Sequence, residues 1–180
     1  MDRTDKFEKG KIYKAATNKV VTNVYMDAFP IEKVRFQNAE FGNEKKSISC
    51  YIDFSTIARL AADVASGRVF KKMDEDQYHR YTISRGGTTK GEHGPISRVM
   101  YLGRSGDKIF INMSEGPGKL SETGAIMPDG KPTKEVSVGM NIDDFREMII
   151  YTHDCVCAYL GPMVHKLVRE LEEDRKNNSN

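Results

Sequence analysis

Apolar and polar residues alternate along three early stretches, Lys19 to Tyr25, Lys33 to Phe41 and Lys46 to Asp53, and that period of two predicts strands. In the second stretch Val34 and Phe36 alternate with Lys33, Arg35 and Gln37, as in a strand with one wet face. Gly42-Asn43 lies between the second and third and reads as part of a hairpin connection. After Asp53 the period lengthens. Phe54, Ile57, Ala58, Ala61, Ala62 and Ala65 mark a helix, with Asp53 or Ser55 available as N-cap and Gly67 as the stop.

The second half begins after the polar stretch Lys71 to Gln77 and predicts strands at Tyr78 to Arg85, Ser97 to Arg104, Lys108 to Met113 and Glu135 to Ile142. Arg104-Ser105-Gly106-Asp107 is a short turn between two of them. Asn141 or Asp143 then caps a helix whose first turn carries two acids, which suits the helix dipole. The stretches SISCYIDFSTIARLAADV and EVSVGMNIDDFREMIIYT share one order: alternating strand, Ile-Asp, amphipathic helix. The expected fold is therefore α+β, two antiparallel-sheet-plus-helix repeats over 19–70 and 78–160 within one domain, preceded by a flexible segment over 1–18. Capping chemistry alone also selects Asp at such junctions.

Two segments, Gly86 to Pro95 and Gly116 to Lys134, are rich in Gly or Pro and are expected as long loops. Gly161-Pro162 is expected to interrupt the C-terminal helix, with Pro162 opening a last helix to about Arg175 before a frayed tail. Met163, Val164, Leu167, Val168 and Leu171 give that last helix an apolar stripe suited to packing on the domain or on another subunit.

Composition narrows the function classes. The 180 residues, 38% of them hydrophobic, suffice for one domain with a sizeable core. No apolar run approaches the roughly 20 residues that cross a bilayer, and the polar start lacks an apolar leader, so no membrane partner or secretion is expected. Three cysteines, Cys50, Cys155 and Cys157, do not form a disulfide framework and point to a reduced, cytoplasmic setting. His153, Cys155, Cys157 and His165 are four zinc-type ligands in a short stretch. On a helix, however, His153 and Cys157 share a face while Cys155 points elsewhere, and no metal site is expected.

No phosphate-loop, dinucleotide, nucleophile-elbow or zinc-protease signature is present in the sequence. His93, beside Glu92 in a Gly-rich loop, is a lone histidine that reads as solvated, and Asp143-Asp144 read as helix-start residues rather than an acid and base. No reaction, cofactor or small-molecule substrate is specified.

Charge distribution says more than the net charge of +2. Between His79 and Lys108 the chain carries Arg80, Arg85, Lys90, Arg98, Arg104 and Lys108 against Glu92 and Asp107, with Tyr81, Tyr101 and Phe110 among or just after them. Lys33, Arg35 and Tyr51 extend the set to the first half. Cations along a sheet track phosphates, and exposed rings stack on unpaired bases without demanding a sequence. On the strand ending at Met113, Lys108, Phe110 and Asn112 share one face while Ile109, Ile111 and Met113 share the other, as a half-buried binding sheet requires. The competing reading is that strand cations protect edges and keep the surface wet while the rings pack.

The order of strands, Ile-Asp and helix, met at Ile52-Asp53 and again at Ile142-Asp143 and spanning Val20 to Leu160, resembles the Whirly and Pur-alpha type of single-stranded nucleic-acid-binding domain. The first repeat shows three clear strands where that family has four, and the Lys-Gly-Lys-Ala-Ala motif of plant Whirly proteins is absent, so no family residue is carried over. The resemblance implies a sheet surface for single strands and oligomerisation through helices. An oligonucleotide-binding barrel of the bacterial single-strand-binding type is the rival architecture, without the acidic, apolar-tipped tail usual there. The expected function is non-catalytic binding of single-stranded DNA with little sequence preference, by a homo-oligomer, in replication, recombination or mobile-element transfer. RNA is the neighbouring ligand, and a structural protein of a phage or plasmid assembly is the alternative from another class.

Overall fold

The computed structural model describes residues 10–42, 46–91 and 94–177, with side chains described to Glu172. The first unit is a four-stranded antiparallel meander: β1 (Lys11–Ala16), β2 (Val20–Tyr25), β3 (Lys33–Glu40) and β4 (Ser47–Asp53), in that spatial order. Register places Val24 beside Phe36 and Phe36 beside Cys50, so alternate residues of β2, β3 and β4 form an inward face that is apolar except at the Thr22–Asn38 pair. Helices α1 (Phe54–Ala65) and α2 (Arg68–Glu75) follow. Gly67 joins them at φ 73°, a left-handed conformation that glycine adopts without a Cβ clash.

The second unit repeats the order. Strands β5 (Arg80–Thr88), β6 (Ile96–Ser105) and β7 (Lys108–Leu120) form a meander, a short β8 (Ile126–Pro128) folds back on the far end of β7, and β9 (Lys134–Asn141) completes the sheet by pairing with β7. Helix α3 (Ile142–Asn177) closes the unit. The rows Met100, Met113, Val136 and Leu102, Ile111, Val138 face inward. The α+β class with two antiparallel-sheet-plus-helix units is thus as the sequence predicts.

The two units share one core. Helices α1 and α3 pack on each other, and β9 lies against the first sheet. Phe29, Phe54 and Tyr159 meet edge to face at 5.1, 5.2 and 6.2 Å where the two units join. Such aromatic pairs contribute about 1 kcal/mol each beyond their buried area. Between the sheets the fully buried Asn38 donates to the carbonyls of Ile111 (2.8 Å) and Val136 (3.2 Å) and accepts from Thr22 Oγ1 (2.6 Å). Every polar arm of that side chain has a use, so its burial is compensated.

Several expectations are corrected. The segment 1–18, expected to be flexible, contains β1, which supplies the fourth strand of the first unit; residues 1–9 lie outside the described residues. The polar stretch from Lys71 hides α2, which buries Val69, Phe70 and Met73. The expected loop 116–134 instead extends β7 to Leu120 and turns back through β8 as an arm. The loop 86–95 is shortened, since β5 continues to Thr88. Gly161-Pro162 does not interrupt the last helix. Ala158, whose carbonyl Pro162 leaves without a helical donor, is exposed, so water can take that bond.

The Ile-Asp steps are not equivalent either. Asp53 is the N-cap residue of α1, whereas Ile142-Asp143 lie inside the first turn of α3 and the cap is Asn141, which accepts from the Asp144 N–H (2.7 Å) and donates to its carboxylate (2.8 Å). Of the Gly42-Asn43 connection, Asn43 lies outside the described residues. No helix among the described residues is long and apolar enough to cross a membrane.

Candidate nucleic-acid interface

The face of the second sheet turned away from the core carries Arg80, Thr82, Arg85, Val99, Tyr101, Lys108, Phe110, Asn112 and Ser114, as the register requires. A bulge sets this face. Strict alternation along β5 would put Arg80 and Arg85 on opposite sides, but the register shifts between Thr82 and Ser84, and Arg85 then pairs with Val99 on the same side as Arg80. One extra residue in a strand re-aims every side chain after it.

Two hollows of about 280 and 260 Å³ open on this face and share Arg80 and Tyr101. The arm bounds the first through Pro128, Gly130 and Pro132; Tyr78, Phe110, Asn112 and Ser137 line the second. The Arg80 guanidinium lies 4.7 Å from the Tyr101 ring centroid and 5.7 Å from that of Tyr78. Phe110 lies over Gly139, where an added Cβ would sit 2.9 Å from the ring. Glycine opposite an aromatic lets the ring lie flush on the strand, presenting a flat apolar surface between polar neighbours. His79, at φ 51°, precedes the groove; its ring nitrogen lies 3.2 Å from the Met73 carbonyl oxygen, and the turn leaves Tyr78 exposed.

Arg80, Arg85, Lys90 and Lys108 form no ion pair among the described residues. Arg80, Arg85, Tyr101, Lys108 and Phe110 are therefore brought together on one face, the three cations without an ion pair among the described residues. Lys90 is exposed beyond the end of β5.

The other expected residues lie elsewhere. Tyr81 is buried and donates its hydroxyl to Asp63 (2.9 Å). Burial pushes the Tyr81 hydroxyl above its ordinary pKa, and Asp63 adds to the rise. Arg98 faces the core side and pairs with Glu115 at 2.7 Å. Arg104 pairs with Asp74 at 3.1 Å with its guanidinium over the Phe70 ring. Arg35 belongs to the first sheet, buried, with two guanidinium nitrogens on Asp27 and its Cζ 3.8 Å from the Tyr25 centroid. Tyr51 is exposed on β4 and lines a third hollow, which Arg85 also reaches.

Sequence reasoning missed Thr82, Ser114 and Ser137, the polar residues around the rings, and the two glycines that clear space beside them, Gly103 and Gly139. Parity along Ser97 to Arg104 was an available signal: Arg98, Met100, Leu102 and Arg104 share one face, and Val99, Tyr101 and Gly103 the other.

Two buried carboxylates brace the neighbourhood. Burial alone would raise the Asp63 pKa, but hydrogen bonds from Lys72 (3.0 Å) and Tyr81, with the charges of Lys72 and Arg68, hold it below its ordinary value. Glu115 behaves alike: burial is outweighed by Lys134 (2.9 Å) and Arg98. Burial also pushes the Cys50 thiol up to about 12, far from a reactive thiolate. On α3, Cys157 Sγ lies 3.5 Å from His153 Nε2 while Cys155 is half-buried on another side, the arrangement expected from helical spacing. Among the described residues no group of three or more His, Cys, Asp or Glu is placed to hold a metal ion. His93 and Glu92 lie outside the described residues.

No family model matches this chain, and none of the curated proteins matches it. The functional argument therefore rests on the residues themselves.

Proposed function

We propose that the outer face of the second sheet binds single-stranded nucleic acid, DNA in the first instance, without catalysis and with little sequence preference. The observation that carries this reading is the join of cations, unpaired among the described residues, to half-buried rings in two adjoining hollows: Arg80 over Tyr101, Arg85 brought alongside by the bulge, and Phe110 flush on Gly139. Guanidinium groups without carboxylate partners attract phosphates, and the two rings on neighbouring strands offer stacking surfaces to bases. A duplex hides its base faces, so the groove favours unpaired strands. RNA offers the same faces and phosphates, and the choice between the sugars depends on whether a group reads the 2′-hydroxyl. An antiparallel sheet followed by helix, twice over, with four strands in the first unit and five in the second, supports a Whirly or Pur-alpha type of architecture for this chain. Cytoplasmic work on exposed single strands, in replication, recombination or mobile-element transfer, belongs to the same proposal.

The test is fluorescence anisotropy with labelled single-stranded DNA, single-stranded RNA and duplex DNA, each at low and moderate salt. Binding to single strands, weakened by salt and poor on duplex, is the expected outcome, and the DNA-to-RNA ratio assigns the substrate. No binding to any of the three at micromolar protein would refute it.

One observation favours a second reading, assembly. Met163, Val164, Leu167, Val168 and Leu171 are each about half exposed along the outer part of α3, an apolar stripe at helical spacing. Self-association through this helix is compatible with strand binding, since several copies lengthen the site. Sedimentation of the wild type against a Leu167→Glu/Leu171→Glu variant tests it: the expected result is an oligomer that the variant dissociates.

A further inference from the structure

The third hollow, about 230 Å³, lies where the two sheets meet edge to edge. β4 ends the first sheet and β5 ends the second, and each lacks a further partner strand among the described residues. Its lining includes Ser49 and Tyr51 from β4, Ser84, Arg85 and Gly86 from β5, and Arg98 from β6. Edge strands direct every second N–H and C=O out of the sheet, so such a cleft is rich in backbone donors and acceptors. Asp53, the carboxylate in its wall, is ion-paired with Lys33 at 2.9 Å, and Lys33 also lines the cleft.

The two consecutive glycines of β5 differ in a telling way. A Cβ on Gly87 would collide with the Ile96 carbonyl oxygen, so the packing of β5 on β6 demands glycine there. A Cβ on Gly86 would meet nothing within 4 Å, and its φ is not in the left-handed region. Glycine inside a strand costs about 0.5–1 kcal/mol relative to residues with a side chain. Gly86 thus incurs that cost with no steric or conformational need among the described residues, in the wall of an open cleft. A bare strand position of this kind suits the close approach of a ligand backbone.

We propose that this cleft is a second nucleotide subsite, holding a phosphate against Arg85 and the bare Gly86 backbone and stacking the adjoining base on Tyr51. The bound strand then crosses the edge of β5, from Tyr101 on the outer face to Tyr51 on β4, with Arg85 common to both hollows. This inference rests on the reading of the second sheet as a single-strand platform.

Thymidine oligonucleotides of about 6 and about 20 nucleotides, bracketing the site of one small binding domain, separate the two claims. Gly86→Val adds side-chain bulk to the cleft wall at a position where a Cβ meets nothing within 4 Å, and Tyr51→Ala removes an exposed ring. Both should weaken the long oligonucleotide about tenfold and leave the short one unchanged, while Tyr101→Ala weakens both. Thermal melting of each variant verifies folding. Ultraviolet cross-linking of the wild type to a 5-iododeoxyuridine strand, mapped by mass spectrometry, should mark Tyr51 as well as the second sheet. Unchanged long-strand affinity in both variants with no adduct at Tyr51, or equal losses at both lengths, overturns the cleft subsite. Failure of the wild type to bind either length instead overturns the platform reading beneath it.

Discussion

The outer faces of the two sheets are made from similar side chains, yet they hold their charge in opposite ways. On the first sheet Arg35 is buried, spends its guanidinium on Asp27 and lies over the ring of Tyr25, whose hydroxyl donates to Gln37 at 3.2 Å. Val21 and Asn23 beside it are buried as well. On the second sheet Arg80 lies on Tyr101 with no ion-paired carboxylate among the described residues, and the rings face a groove. Arginine over tyrosine occurs in both places. What separates a packed surface from an available one is the acid: Asp27 pairs with Arg35, whereas among the described residues no acid forms an ion pair with Arg80 or Arg85, although Glu135 lines the hollow they share.

The sharpest way to break this comparison is to reverse charge on each face. Arg80→Glu/Arg85→Glu should lower single-strand affinity on the order of a hundredfold or more, because two charge-assisted contacts are lost and repulsion replaces them. Its melting temperature should stay near that of the wild type. Arg35→Ala should do the reverse, costing about 1–2 kcal/mol of stability, discounted because Asp27 is half exposed, with little change in affinity for the folded protein. Anisotropy and chemical denaturation on the same preparations decide between the faces. A large affinity loss in Arg35→Ala with full stability would erase the distinction.

Stacking comes next in size. Tyr101→Ala and Phe110→Ala should each weaken binding by roughly 1–3 kcal/mol, with tenfold a central value. Tyr101→Phe should bind nearly as the wild type does, since the stacking face rather than the hydroxyl is used. A smaller effect belongs to salt. Removing Arg80 alone should flatten the dependence of log affinity on log salt by about 0.7 for a single strand. An unchanged slope would mean that Arg80 serves only as a lid on Tyr101.

How much of this was legible beforehand follows from what parity can carry. Periods of two and 3.6 located seven of the nine strands, β7 only as far as Met113, and the helices α1 and α3, because in those stretches each side chain's face is set largely by its neighbours. β1 escaped because its register shifts between Lys11 and Tyr13, which breaks the alternation within six residues. α2 escaped because three buried residues in eight leave too short a stripe. The arm escaped because Gly and Pro are loop signals, although Gly116 and Gly118 are there to let the arm pack tightly against Pro132 and Ser97. For the site, the cation-rich stretch was visible in composition, but two facts were not. The bulge in β5 turns Arg85 toward Arg80, and the acids that consume Arg35, Arg98 and Arg104 come from 8, 17 and 30 residues away. Pairing over such distances is a product of the fold.

The mildest prediction concerns Glu115, the acid that withdraws Arg98 from the binding set. Its carboxyl is held below the ordinary value of 4.5, so its ionised form is favoured more in the folded chain than in the unfolded one. The sign follows from linkage: the stabilisation is complete above the unfolded pKa and is lost as pH falls through 4.5 toward the lower folded value. Glu115→Gln should therefore be less stable than the wild type near neutrality, with the gap closing as pH drops below about 4.5. Asp63, depressed in the same sense and outside the exchange, supplies acid sensitivity common to both proteins. Denaturation midpoints at a series of pH values read the gap directly. A gap that stays constant to pH 3 would mean that Glu115 stabilises through packing rather than charge, and Arg98 would then return to the cations available to a phosphate.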